Sequence, residues 1–279
     1  MKVKGLVLDG GGVFGIVQAH ILGRIDLSEF DFFVGTSIGA AQAIFLGLDV
    51  KKPSKLPAFF HDRMPEIFKG HWYKTYKLFT PKYSDKALNK ALQELLPGAF
   101  GDCIKPVFIT AVDLNSQKLK VFYSEDSTDA SWPAWEVARA ATAAETYFSS
   151  WKGYADGAIF ANNPSMVAIA AACKKLGCKV SDIELCSIGT GYTDKIDKPP
   201  SDHSFILSWG KWVLDALLGG ASNSMHEYFA RSMPLKQYCR HDFLRQNNWR
   251  IDNPKQMLEA EKAWKSSIAA TVKDIKEKF

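Results

Sequence analysis

The sequence lacks the features that mark secreted and membrane-spanning proteins. Its five cysteines are odd in number and form no CxxC pair, which argues against a disulfide framework or a zinc ribbon and indicates reduced thiols in a cytosolic protein. One of the two longest charge-free stretches, 157–173, contains Asn162, Asn163 and Pro164. It therefore predicts a turn followed by a buried helix, not a membrane span. An apolar run starts within the first residues, so we expect no signal peptide.

The chain also lacks a concentration of charge of either sign. Its 35 basic and 30 acidic residues give a net charge of +5 and are scattered, apart from mild basic clusters at 51–55 and 273–278. This pattern argues against a nucleic-acid partner. A mildly basic surface is compatible with anionic phospholipid headgroups, and equally with ordinary solvation.

No linker, repeat or low-complexity tract divides the 279 residues, so we expect one domain spanning 1–279. Its N-terminal part alternates predicted strand and helix: Val3–Asp9, Ile16–Ile25, Asp31–Gly35 and Ile38–Leu48. This order predicts an α/β fold with a parallel sheet covered by helices.

The remainder continues the same mixture of elements. An aromatic-rich segment, 51–100, predicts a helical insertion over the sheet, and 254–278 has the apolar spacing of a terminal helix docked on the core. Between them the pattern predicts three strands, at Pro106–Leu114, Lys118–Ser124 and Glu184–Ile188, and two helices, at Ala134–Ala144 and from Pro164 onward.

The sharpest motif is GTSIG at 35–39, which follows a predicted strand and precedes a predicted helix. A serine projected from a tight strand-to-helix turn needs small neighbours two residues to either side, so that the backbone can bend sharply. The helix also directs its positive end toward the serine oxygen. This context favours Ser37 as a nucleophile; the alternative is that Ser37 only caps the helix.

A glycine run at 10–12 ends the first predicted strand. Its exposed amides beside a helix N-terminus suit a negative oxygen, either of a phosphate or of a reaction intermediate. Gly10, Gly12 and Gly15 satisfy GxGxxG, but the next strand ends in GTSIG and not in the acidic residue that a dinucleotide site needs. A nucleotide-binding module is therefore a weaker alternative than an oxyanion hole beside Ser37.

Two kinds of base could activate Ser37. Asp156, in the sequence YADGA, lies at the end of a predicted extended piece. His203, His226 and His241 all follow it, so the order Ser–acid–His of α/β-hydrolases is not excluded. That fold, however, usually lays down several strands before its nucleophile, whereas Ser37 follows only the second predicted strand.

DGGGVFG, GTSIG and DGA, in this order, resemble the patatin-like phospholipases. The similarity extends through LFTPKYSDKALNKAL, PVFITAVDLNSQKLKVF, ARAATAAETYF, ANNP and SIGTG, and covers about residues 3–260. The resemblance implies a three-layer α/β/α fold with a mainly parallel sheet and a Ser-Asp dyad without histidine, metal or cofactor. It places the nucleophile at Ser37, the base at Asp156 and the oxyanion donors on the backbone of Gly10, Gly11 and Gly12.

The implied activity is acyl-ester hydrolysis of a phospholipid or lysophospholipid by a cytoplasmic protein whose membrane contact, if any, is peripheral. A regulated effector with the same chemistry is an alternative role, and the sequence does not predict an oligomeric state. Two positions depart from the family. Phe14 replaces a basic residue common among relatives, which removes a contact for an anion, and Glu145 stands where relatives often have proline. The aromatic segment 59–79 is expected to line the acyl pocket, to face a lipid interface, or only to pack on the core.

Overall fold

The computed structural model describes residues 2–49, 52–70, 81–193, 209, 212, 222–246 and 249–279. Within them a seven-stranded sheet has the order β4-β3-β2-β1-β6-β7, with β5 paired to β3. The strands are β1 Val3–Leu8, β2 Phe32–Thr36, β3 Val107–Asp113, β4 Lys118–Tyr123, β5 Tyr154–Asp156, β6 Ile183–Ile188 and β7 Gln237–His241.

The sheet is mainly parallel. Along the order β3-β2-β1-β6-β7, each pair of neighbouring strands is parallel. Strands β4 and β5 both run antiparallel to β3. The strands alternate their side chains between two faces: Leu6 and Leu8 of β1 enter one core, and Val3 and Val7 enter the other.

Helices cover both faces. Among the described residues they are α1 Gly15–Leu22, α2 Ile38–Leu48, α3 Lys55–Ile67, α4 Asp85–Leu95, α5 Ser127–Ala130, α6 Ala134–Ala141, α7 Ala158–Ala161, α8 Ser165–Lys175, α9 Ser222–Ser232, α10 Pro254–Ala263 and α11 Lys265–Lys278. The larger core lies under α1 to α4, α6, α10 and α11, and the smaller lies under α7, α8 and α9. The predicted α/β/α layering is thus confirmed.

The terminal segment differs from the single helix predicted over 254–278. It forms α10 and α11, which are separated at Trp264, whose φ of −96° and ψ of 8° interrupt the helix. The Trp264 indole packs against Phe14, Phe243 and Trp249 and donates a hydrogen bond to the Leu244 carbonyl at 3.0 Å. Tertiary packing of one aromatic side chain therefore overrides the helical periodicity.

The predicted insertion at 51–100 contains α3 and α4, and its aromatic part at 71–80, with Trp72 and Phe79, lies outside the described residues. No helix in the described part of the chain combines the length and the apolar character that crossing a bilayer requires.

Candidate active site

The strand register brings the chain segments of the predicted site to one edge of the sheet. β2 pairs with β3 as far as Thr36 opposite Thr110. At the next residue of β3, Ala111, the partner becomes Asp156 of β5. Since β4 occupies the other edge of β3 along this stretch, β5 continues the edge that β2 leaves. Ser37 therefore turns out of the sheet beside Asp156.

The Ser37 backbone is strained in the manner of a nucleophile elbow. Its φ of 53° and ψ of −126° lie outside the regions that non-glycine residues usually adopt, and α2 starts at the next residue. A Cβ on Gly39 would lie 2.6 Å from the Asp9 carbonyl oxygen, and a Cβ on Gly35 would lie 2.7 Å from Cα of Ala40. Both glycines are thus required for the close passage of the backbone around the serine.

Asp156 is almost completely buried, with 1 % of its surface exposed. Its carboxylate accepts a hydrogen bond from the Ser37 hydroxyl, and its Oδ1 accepts one from the Ala158 amide at 2.9 Å. Burial raises the pKa of Asp156 to about 7, and the hydrogen bonds from Ser37 and Ala158 only partly offset this effect. A carboxylate with such a pKa is a much stronger base than an exposed aspartate.

The glycine run lies directly against the serine, since a Cβ on Gly10 would be 3.0 Å from Cβ of Ser37. The loop is held at both ends: the Gly10 amide donates to the Asn162 carbonyl at 3.1 Å, and the Val13 amide donates to the Ile251 carbonyl at 2.8 Å. The Gly10 N–H is therefore already used. Of the three donors predicted from sequence, the amides of Gly11 and Gly12 have no recorded backbone partner among the described residues.

A buried polar network supports this loop from below. Arg240 of β7 forms a two-pronged ion pair with Asp9, its two terminal nitrogens lying 3.0 and 2.6 Å from the carboxylate oxygens. The side-chain amide of Gln18 donates to the backbone carbonyl of Asp9 at 3.1 Å and to that of Ile188 at 2.8 Å. The Asp9–Arg240 ion pair joins residues far apart in sequence, and it fixes the residue that immediately precedes the glycines.

A cavity, partly open to solvent, has the serine, the aspartate and the glycines on its wall. The rest of its lining is mostly apolar: Ile38, Met64, Ile67, Phe68, Leu88, Ala144, Tyr147, Phe148, Ala158 and Ile251, with Thr142, Asn162 and Arg245. Met64, Ile67 and Phe68, which belong to the described part of the aromatic segment 59–79, thus supply part of the apolar wall. Such a wall suits a hydrocarbon chain.

Phe14 is a core residue, fully buried and stacked on Trp249 with ring centroids 5.7 Å apart. The Arg245 guanidinium lies over the other side of this aromatic cluster, 5.4 Å from the Phe14 ring, and its Nε has no hydrogen-bond partner among the described residues. Arg245 lines the cavity. A cation is thus present near the site, although the glycine motif has none. No local motif marks Arg245, so sequence analysis missed it.

The histidines of the alternative triad are not at the described cavity wall. The His226 Nε2 lies 3.0 Å from the Phe160 carbonyl oxygen, and the His241 Nε2 lies 3.3 Å from Cys239 Sγ. His203 lies outside the described residues. Among the described residues, the ionisable side chain beside Ser37 is therefore a carboxylate and not an imidazole.

The charge of Glu145 affects the pKa of Asp156. Both carboxylate oxygens are buried without a hydrogen-bond partner among other described residues, and burial raises the pKa of Glu145 to about 7. Its negative charge also contributes to the raised pKa of Asp156. The departure noted at this position thus places a second acid near the site.

Comparison with known proteins assigns the family. The model of the patatin-like phospholipases matches residues 6–169, more than half of the chain, and this range contains the elbow, the glycine run and Asp156. The fold and this match define a lipid hydrolase. The chain belongs to the patatin-like phospholipase family.

The individual relatives have low sequence identity to this chain. The chain is similar to a cGAMP-activated phospholipase of Escherichia coli (strain TW11681), at 28% identity over 87% of this chain and 78% of the relative. A cGAMP-activated phospholipase of Vibrio cholerae serotype O1 is 27% identical over 90% and 82%, and Patatin-T5 of Solanum tuberosum is 25% identical over 80% and 70%. The crystal structure of VipD from Legionella pneumophila aligns with a TM-score of 0.49 and 15% identity, covering 98% of this chain and 67% of VipD.

Proposed function

We propose that this protein hydrolyses acyl esters of phospholipids or lysophospholipids through an acyl-enzyme on Ser37, with Asp156 as the base. The observation that carries the proposal is the hydrogen bond between the Ser37 hydroxyl and the buried Asp156 carboxylate, at the wall of a mostly apolar cavity. A nucleophile bonded to its base, with room for an acyl chain beside both, is the minimum that ester hydrolysis requires.

In the proposed reaction, Asp156 accepts the hydroxyl proton as Ser37 Oγ attacks the ester carbonyl carbon. The developing oxyanion is bound by the amides of Gly11 and Gly12, each such donor stabilising the transition state by about 3 kcal/mol. Asp156 then protonates the departing alcohol. Water, deprotonated by the same carboxylate, attacks the acyl-enzyme, which releases the fatty acid and restores Ser37.

The substrate class follows from the cavity wall. Residues such as Met64, Ile67 and Phe148 would hold the hydrocarbon chain. Arg245 would meet an anionic group on the other side of the ester, such as the phosphate of a phospholipid. We propose contact with lipid at a membrane surface and no passage through the bilayer.

The test is fatty-acid release from phosphatidylcholine and lysophosphatidylcholine vesicles, quantified by mass spectrometry. Ser37→Ala should abolish release, because it removes the nucleophile. Ser116→Ala is the matched control, since Ser116 is exposed, and it should act like the native protein. Native turnover by Ser37→Ala would exclude the proposed chemistry.

A second candidate is the same lipase under control of a cyclic dinucleotide. It is favoured by two relatives, each called a cGAMP-activated phospholipase, that align with most of this chain. The vesicle assay with and without cGAMP separates the alternatives. An activated effector releases fatty acid only when the nucleotide is present, whereas a constitutive lipase releases it equally in both cases.

A further inference from the structure

Three side chains from separate helices converge outside the catalytic cavity. His20 of α1, His61 of α3 and Glu261 of α10 place their ligand atoms within 4.8 Å of one another. The His20 Nε2 is 2.5 Å from Glu261 Oε1, and the His61 Nε2 is 3.4 Å from the same oxygen. Two imidazole nitrogens thus lie near one carboxylate oxygen.

We propose that His20, His61 and Glu261 form a Zn²⁺ site that joins α3 to α1 and α10. Two histidines and a glutamate with a water as fourth ligand are an established donor set for zinc. Donor atoms about 2.0–2.2 Å from a tetrahedral zinc ion lie about 3.3–3.5 Å apart. The His61–Glu261 distance of 3.4 Å already matches this spacing, and metal binding requires the His20–Glu261 pair, now at 2.5 Å, to open by about 1 Å.

The exposure of the three side chains fits a site that exchanges its metal with solvent. The His20 side chain is 18% exposed, Glu261 is 25% and His61 is 38%. A metal ion can therefore enter from the His61 side, and a water molecule can complete the coordination. The ion pairs recorded for these three side chains within the described residues join them only to one another.

A second cluster in the described part of the chain fits a metal less well. Cys239, His241 and Asp274 also lie close together, but the Lys278 ammonium is 2.7 Å from the Asp274 carboxylate and 3.5 Å from Cys239 Sγ. A cationic side chain thus already balances these acceptors and would repel Zn²⁺. The cluster of Cys239, His241 and Asp274 therefore serves as the control for the proposed zinc site.

The site has a mechanical consequence for the cavity. Helix α3 carries His61 at the metal site and Met64 and Ile67 at the cavity wall. It packs against α1, which in turn packs against α10. Zn²⁺ bound by residues of all three helices would oppose separation of α3 from the core, and so would restrain one wall of the lipid cavity.

Binding is tested on chelator-treated protein by isothermal titration with Zn²⁺, and by hydrogen–deuterium exchange of the α3 amides. The native protein should bind one Zn²⁺ at this site and exchange α3 more slowly when loaded. His61→Gln should weaken binding by more than about 100-fold, since even a change in a group that only orients a ligand costs about 10- to 100-fold. His241→Gln, the control, should bind like the native protein. No binding by the native protein, native affinity in His61→Gln, or loss in His241→Gln would each overturn the proposal.

Spectra of the Co²⁺-substituted protein give an independent readout that needs no variant. Cobalt bound by two histidines and a glutamate shows visible ligand-field bands without a thiolate-to-metal charge-transfer band. A charge-transfer band in the near ultraviolet would place the metal at a cysteine and would contradict the proposed site. Glu261→Gln should reduce the ligand-field bands, and Glu259→Gln, which changes an exposed glutamate two residues earlier on the same helix, should not.

Discussion

Two opposing effects set the pKa of Asp156. Burial disfavours the charged form of its carboxylate, whereas the hydrogen bonds that it accepts from Ser37 and Ala158 favour the charged form. The balance leaves its pKa at about 7, above the ordinary value of 3.8. The residue can therefore take a proton from a serine and still lose it near neutral pH.

Glu145 is expected to set part of this balance. Asp156 acts as a base only when it is deprotonated, so kcat/KM should fall as the pH drops below about 7. Glu145→Gln removes a nearby negative charge, which lowers the pKa of Asp156 and moves this acid limb to lower pH. A kcat/KM profile on a soluble ester measures the shift. Glu259→Gln, an exposed control, should leave the limb in place; an unchanged limb in Glu145→Gln would show that Glu145 has no influence on the base.

Arg245 is expected to distinguish anionic from neutral esters. Its guanidinium lines the cavity with an unpartnered Nε, so Arg245→Gln should lower kcat/KM for a phospholipid by about tenfold or more. Turnover of an uncharged short-chain ester should change little. Arg24→Gln alters an exposed arginine and should affect neither substrate. Equal losses on both esters would mean that Arg245 acts through packing on Phe14 and not through its charge.

At the scale of elements, the elbow and the glycine loop depend on close backbone contact. Gly39→Ala would place a Cβ 2.6 Å from the Asp9 carbonyl oxygen, so the turn has to shift. We expect a loss of about 1–3 kcal/mol of stability and of about 100-fold in kcat. Urea denaturation and ester turnover measure the two effects. Gly70→Ala, where no atom of the described residues lies within 4 Å of the added Cβ, should change stability by less than about 0.5 kcal/mol. Full activity in Gly39→Ala would contradict the elbow geometry.

The elements closest to the site were the easiest to predict from sequence. Helix α2 has the bounds predicted, Ile38–Leu48, because a glycine turn precedes its unbroken run of apolar and small residues. Strand β7, with the sequence QYCRH, has no apolar run and was not predicted. The break at Trp264 was also missed, because it depends on aromatic partners that are distant in sequence.

The residues of the site likewise include some that could be predicted from sequence and some that could not. Ser37 and the glycine run were predicted from local motifs whose residue types have a physical reason, whereas the base was placed at Asp156 by the resemblance to the family. Arg240 and Arg245 were not found, because their roles arise only when β7 and the segment after it reach the glycine loop. The use of the Gly10 amide by Asn162 was equally invisible before the backbone was known.

At the scale of the whole molecule, the buried pair of Asp9 and Arg240 ties the N-terminal strand to the C-terminal part of the sheet. The two side chains are 0% and 2% exposed. Arg240→Met leaves the Asp9 carboxylate buried without its partner, which should cost about 3–5 kcal/mol in urea denaturation. Arg231→Met removes a surface pair with Glu227 and should cost about 1 kcal/mol or less. A similar small cost for both variants would show that the buried pair does not hold the glycine loop.

The proposed activation of the Ser37 hydroxyl by the Asp156 carboxylate is tested most directly by the rate of labelling by a fluorophosphonate, with the modified peptide identified by mass spectrometry. We predict a single adduct on Ser37, no adduct at this position in Ser37→Ala, and labelling about 10²- to 10⁴-fold slower in Asp156→Asn. Labelling of Asp156→Asn at the native rate, or an adduct on another serine, would contradict it.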